Sequence, residues 1–177
     1  MLGAEDYHPK PYSESSEMME DHQSNLETII GKRMKGFWVA WDTNIHDWFN
    51  DAPVIIAFEG GQIELCAFKS DQFIITSNEM YLSKPIDWYG TDLELSWKKN
   101  GLELLFVIGK QVEQLEILQS SEDNGSHAPA LYGIGFQLED RYFAICNGFD
   151  QNEIVTNKEE LSVNKTVIKE NPAKRSS

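Results

Sequence analysis

Between about residues 36 and 155, short apolar runs alternate with turn residues at intervals of roughly ten positions, and this rhythm constrains the chain more than any other feature. Runs of five to eight β-branched and aromatic residues are too short for a helix that buries one face. They suit strands, and close turns between them return the chain antiparallel. Phe37 to Trp41, Phe73 to Thr76 and Val112 to Leu118 are strand segments of this kind. In the last of these, Val112 and Leu115 fall out of phase, which calls for a bulge or a short helical turn. The expected fold is mainly β, with α+β as the variant: an antiparallel sandwich or strongly bent sheet of about seven or more strands, with one short N-terminal helix.

Three turns set expected registers. Asn100-Gly101 is the strongest, because a two-residue type I′ turn needs positive φ at both central positions. It would pair Trp97 with Leu104 and Leu95 with Phe106. Gly60-Gly61 would join Pro53–Glu59 to Gln62–Phe68, pairing Phe58 with Ile63 and Ile56 with Leu65. Val54 to Phe58 is apolar on both faces, so that strand should be central. Asp140-Arg141 would pair Leu138 with Phe143 and Phe136 with Ile145.

The folded unit is expected over residues 26–160. Residues 1–25 lack apolar periodicity and read as a disordered acidic tail, and 161–177 read as a polar C-terminal tail. Ser24 and Glu27 have the spacing of a capping box, so the short helix should start there, carry Leu26, Ile29 and Ile30, and end at Gly36. Ser120 to Pro129 reads as a loop.

The 177 residues carry a formal charge of −14, of which −12 falls between residues 26 and 160. An acidic domain repels phosphate backbones and anionic lipid, and steers a basic protein towards itself. Direct nucleic-acid binding and membrane attachment are therefore not expected, and no apolar run approaches the ~20 residues of a membrane helix. Cys66 and Cys146 lie within apolar strand-like runs, where cysteine acts as a small hydrophobe. With no leader pattern, the expected location is cytoplasmic. Oligomeric state is open at this stage.

No glycine-rich phosphate loop, Cys-x-x-Cys pair, His-Glu-x-x-His or Gly-x-Ser-x-Gly elbow occurs. Neither a cofactor, a metal nor a catalytic group is expected. His46 alone among four histidines sits near the core segments, within Trp41 to Asp51, a stretch with three carboxylates. A metal or acid/base site could be built there, and an exposed polar loop with buried tryptophans explains the same residues. Asp87-Trp88-Tyr89-Gly90-Thr91-Asp92 is a second aromatic and acidic segment, suited to interface anchoring or to closing the end of the sandwich. In Asn147 to Glu153, alternating acids and amides resemble part of a calcium loop, but turn chemistry accounts for them better.

The order Asp51-Ala52-Pro53-Val54-Ile55-Ile56-Ala57-Phe58, then Gly61-Gln62-Ile63-Glu64-Leu65, and later Gly135-Phe136-Gln137-Leu138 and Tyr142-Phe143-Ala144-Ile145-Cys146-Asn147-Gly148-Phe149-Asp150-Gln151-Asn152, resembles small acidic immunity proteins of bacterial toxin–immunity systems. The likeness spans residues 36–155. It implies a non-catalytic protein that covers the basic, nuclease-like cleft of a toxin with an acidic face. Interfaces in that group vary from pair to pair, so no binding residue carries over.

The leading functional expectation is a binding module for a basic protein, with Asp42, Asp47, Trp48, Asp51, Asp87, Trp88 and Asp92 as contact residues. The alternative is a small-molecule or enzymatic β domain with a polar site around His46. A third reading makes the chain a structural subunit tethered by its tails.

Overall fold

The computed structural model describes residues 2–4, 6–99, 102–120 and 130–168. Two antiparallel sheets, of seven and five strands, pack against each other with one helix beside them. The expected mainly β, antiparallel architecture is thus the observed one. Among the described residues no helix is long and apolar enough to cross a membrane.

In the first sheet, β1 (Pro11–Tyr12) pairs with β6 (Gln72–Ser77), followed by β5 (Gly61–Phe68), β4 (Val54–Phe58) and β2 (Met34–Asp42). Strand β2 is long enough to pair β7 (Leu95–Lys99) along one edge, and both β4 and the short β3 (Asp47–Trp48) along the other. β3 and β4 are in effect one strand interrupted at Asn50–Pro53, where the chain loops outward. The second sheet has the order β11 (Asn152–Val155), β10 (Tyr142–Asn147), β9 (Leu131–Leu138), β8 (Val112–Gln119) and β12 (Asn164–Ile168).

The shared core forms because each inner face is apolar at every second position. Phe37, Val39, Ile56, Leu65, Phe73 and Ile75 of the first sheet meet Leu115, Ile117, Ile134, Phe136, Phe143 and Ile145 of the second. The Phe136 and Phe143 rings stack at 4.6 Å and 4°, with Phe58 lying over Phe136 at 6.3 Å. Removing any one of these rings would cost about 3–5 kcal/mol. The expected bulge in β8 lies between Val112 and Gln114.

Helix α1 (Ser15–Ile29) starts well before the expected Ser24 and stops before Gly31; Gly36 is inside β2. Met18, His22, Leu26 and Ile29 form its stripe, and the polar histidine in the second position masks the periodicity. The expected N-terminal tail is corrected along with it. Leu2 and Tyr7 cover the outer face of the first sheet over Ile55, Cys66 and Ile74, and the Tyr7 hydroxyl bonds Thr76 Oγ1 at 2.9 Å. An outer face this apolar needs a cover, and the first residues provide it. Beneath them the buried Glu64 accepts hydrogen bonds from Thr76 Oγ1 at 2.6 Å and Gln62 Nε2 at 2.7 Å.

The expected C-terminal tail is likewise corrected over its first part. Leu161 packs on the outer face of the second sheet with Leu118 and Cys146, and β12 pairs β8. Lys158 reaches back to the buried Glu116 carboxylate and anchors this cover. The rest of that segment, the Asn100-Gly101 turn and most of the 120–129 loop lie outside the described residues.

Three registers differ from expectation. Strand β7 does not pair with residues 102–106: Leu95–Lys99 pairs β2, and Leu102–Val107 is a 3-10 turn. Trp97 packs on the outer face beside Ala40 and Trp88, whereas Leu104 enters the main core, so the two cannot stand opposite each other. In the β4–β5 hairpin Phe58 faces Gly61 and Ile56 faces Ile63. Of the two residues in that turn, only Gly60, with φ of 98°, takes the left-handed backbone, and the loop closes one residue earlier than two glycines imply. The β9–β10 hairpin slips the same way, closing through Leu138 N–H to Arg141 O and placing Phe136 opposite Phe143. Both slips move partners by two residues, so every side chain keeps its face.

Candidate functional site

The β2–β3 turn uses much of the acid and amide content that marked residues 42–51. Asp42 is buried, and its carboxylate accepts the Asn44 N–H at 2.8 Å and the Ile45 N–H at 3.4 Å. It serves as a turn cap, with little surface left for a partner. Asp47 is exposed and accepts the Trp48 N–H at 2.7 Å. His46 sits at the turn tip with φ of 55°, exposed to solvent. Among the described residues, no group of three His, Cys, Asp or Glu side chains could hold a metal ion.

The second aromatic segment lies beside the first. Trp88 packs edge-on against Phe49 at 4.9 Å and against Tyr89 at 5.1 Å, closing the outer face over Ala40 and Ile86. Its body is occupied in packing, and the half-buried ring leaves only part of its surface open to a partner. Asp87 accepts the Gly90 N–H at 3.1 Å in a turn, and Asp92 is exposed.

Trp48 and Asp51 are placed differently. Trp48 stands opposite Trp41, packs on the main core and leaves its indole N–H buried without an acceptor. It forms one wall of a groove of about 700 Å³, together with Leu104, Phe149, Ile154 and the polar Asn50 and Gln151. The groove lies between β3 of one sheet and β11 of the other.

Two asparagines fix its far side. Asn152 is 1% exposed; its Nδ2 donates to Asn50 O and Ala52 O, each at 2.8 Å, and its Oδ1 accepts the Ala67 N–H at 2.8 Å. This holds the outward loop of the first sheet against the second. Asn147 donates to Lys69 O at 2.7 Å and Gln72 O at 2.8 Å, and accepts the Asp150 N–H at 3.0 Å. The hairpin tip that follows presents Phe149, 90% exposed, and Asp150, with φ of 60° and 70°.

Asn50 Nδ2 donates to Gln151 Oε1 at 3.0 Å, which sets Asp51 and Asp150 on neighbouring loops of different sheets. Burial, and then the Asp150 charge, push the Asp51 carboxyl up from its ordinary value. Phe149 and Asp150, which sequence reasoning assigned to turn chemistry, belong to this region, as do Leu104 and Ile154, to which it gave no functional role. The available signal was Phe149 itself, a large apolar residue in the middle of a polar turn. No family model matches the chain, and no curated protein or solved structure matches it.

Proposed function

We propose that the chain is a non-catalytic protein-binding module of the immunity or inhibitor kind, cytoplasmic, which takes a basic protein at the end of the sandwich where Asp51 and Asp150 meet. One observation carries this reading. Burial and the Asp150 charge from the other sheet both disfavour ionisation of the Asp51 carboxyl, and among the described residues no cation pairs with either side chain. A lysine or arginine from a partner would remove that repulsion and gain a charge-assisted hydrogen bond. The net charge of −14 supports the reading through steering, which raises the encounter rate with a basic partner at low salt. A toxin domain with a cationic nucleic-acid cleft is a partner of this chemistry.

The test is affinity capture from native-host lysate with the full chain as bait, at low salt and then at rising salt. A basic protein retained at low salt and released as salt rises is the expected result. An empty bait, or a retained protein that is acidic and indifferent to salt, overturns the reading.

A further inference from the structure

β11 is the terminal strand of the second sheet. Its Asn152 N–H points away from β10 and donates to Asn50 O at 2.8 Å. Backbone groups two residues apart on a strand point the same way, so the Ile154 N–H and C=O also face outward, into the groove. Among the described residues nothing pairs with them.

The side chains around this free edge are those of a docking surface. Leu104 and Trp48 line the groove, Leu105 beside them is 65% exposed, and Phe149 stands out at the hairpin tip. A phenylalanine in the left-handed region costs about 1–2 kcal/mol, and here the turn is pinned by Asn147 to Asp150 and by the Gly148 N–H to Gln151 O at 2.8 Å. Asp51, Asp150 and Glu153 supply the charge around it. A second copy of this chain, itself at −14, would be repelled from such a site, whereas a cationic segment is attracted.

We infer that the groove receives an extended, basic segment of the partner, which lies along β11 as a sixth strand, bonds the Ile154 backbone, sets an apolar side chain between Trp48, Leu104 and Phe149, and brings a lysine or arginine to Asp51 and Asp150. This rests on the binding-module reading and adds its mode: strand addition to a sheet edge. A strand of four residues offers few main-chain bonds, so the aromatic anchor and the cation supply the rest of the affinity.

The test titrates the isotope-labelled full chain with the blocked peptide acetyl-Lys-Leu-Arg-Phe-Lys-Val-Arg-amide, read by backbone amide NMR. Expected are shifts concentrated on residues 149–156 and on Leu104 and Leu105, with at least tenfold slower exchange of the Ile154 amide. Phe149→Ala should weaken binding about tenfold and Ile154→Pro about fivefold. Proline is tolerated at Ile154 because that N–H is not part of the β10 ladder. N-methylating alternate peptide amides, which leaves peptide charge untouched, should abolish binding in one of the two phases. Shifts spread over the acidic surface, insensitive to both variants and to N-methylation, overturn strand docking. So does the absence of any binding. If the capture experiment still retains a basic protein, only this inference fails; if it retains none, the reading beneath it fails as well.

Discussion

Asn147 and Asn152 face each other as register partners across the β10–β11 hairpin, and each sends its side-chain amide into the opposite sheet. Through them one end of the sandwich is held by hydrogen bonds rather than by apolar contact. Each amide donates two hydrogen bonds and accepts one at once, which a hydroxyl with its single proton cannot do.

Asn152→Ala therefore leaves the Ala52 carbonyl and the Ala67 N–H without partners in a buried setting, and leaves the Asn50 carbonyl only the backbone N–H of residue 152. We expect a loss of about 3 kcal/mol, read as a lowered denaturation midpoint with unchanged slope. Asn152→Asp should be no better, because a carboxylate would then face the Asn50 and Ala52 carbonyls. A destabilisation under about 1 kcal/mol in either variant would mean that the amide clamp contributes little.

Two glycines in β9 differ in what lies above them. A Cβ at Gly133 would meet the Ile145 carbonyl oxygen at 2.3 Å, whereas one at Gly135 would meet the hydroxyl end of Tyr142 at 2.2 Å. Backbone of a paired strand cannot yield, but a side-chain end can. Gly133→Ala should cost several kcal/mol, on the order of 3, and Gly135→Ala distinctly less. Adding Tyr142→Phe should restore stability to Gly135→Ala alone; thermal melts of the four variants test this.

The elements legible in sequence were those whose pattern is local. Val54–Phe58 reads as a central strand because both faces are apolar, and it lies between β2 and β5. Apart from the two hairpin registers, which slipped at their own turns, what failed depended on partners elsewhere in the chain. Leu95–Lys99 pairs β2, more than fifty residues earlier, and no turn chemistry at Asn100-Gly101 could report that. The helix stripe was hidden by His22, whose polarity is met by Tyr12 from β1. In the site, Trp48 and Asp51 were legible as aromatic and acid near a turn. Asp150 became significant only through the two asparagines that bring the sheets together.

His22 gives the fold a pH dependence with a definite sign. Burial holds its imidazole below the ordinary value of 6.5, with Asp21 opposing and Lys10 adding to the shift, and Tyr12 contacts the ring at 2.9 Å. The unfolded chain takes up a proton near 6.5 that the folded state refuses until lower pH. Stability from this group is therefore present above pH 6.5 and declines as pH falls from there to the depressed value. Asp21, Asp140 and Glu59, held below their ordinary values by lysines, lose their contributions only at still lower pH. Denaturation curves at pH 7.5 and 5.5 should show the first decline in the native chain, reduced in His22→Gln; equal declines in both would remove His22 as its cause.

The central claim is that the Asp51 and Asp150 pair draws a basic partner. The most direct measurement is capture from native-host lysate with the native chain and with Asp51→Lys/Asp150→Lys side by side, after their unfolding midpoints are compared. The variant should stay folded, because both positions are exposed and the excess negative charge of the chain offsets two added lysines, and it should fail to hold the basic protein that the native chain retains at low salt. Equal retention by both, with folding intact, would contradict the claim.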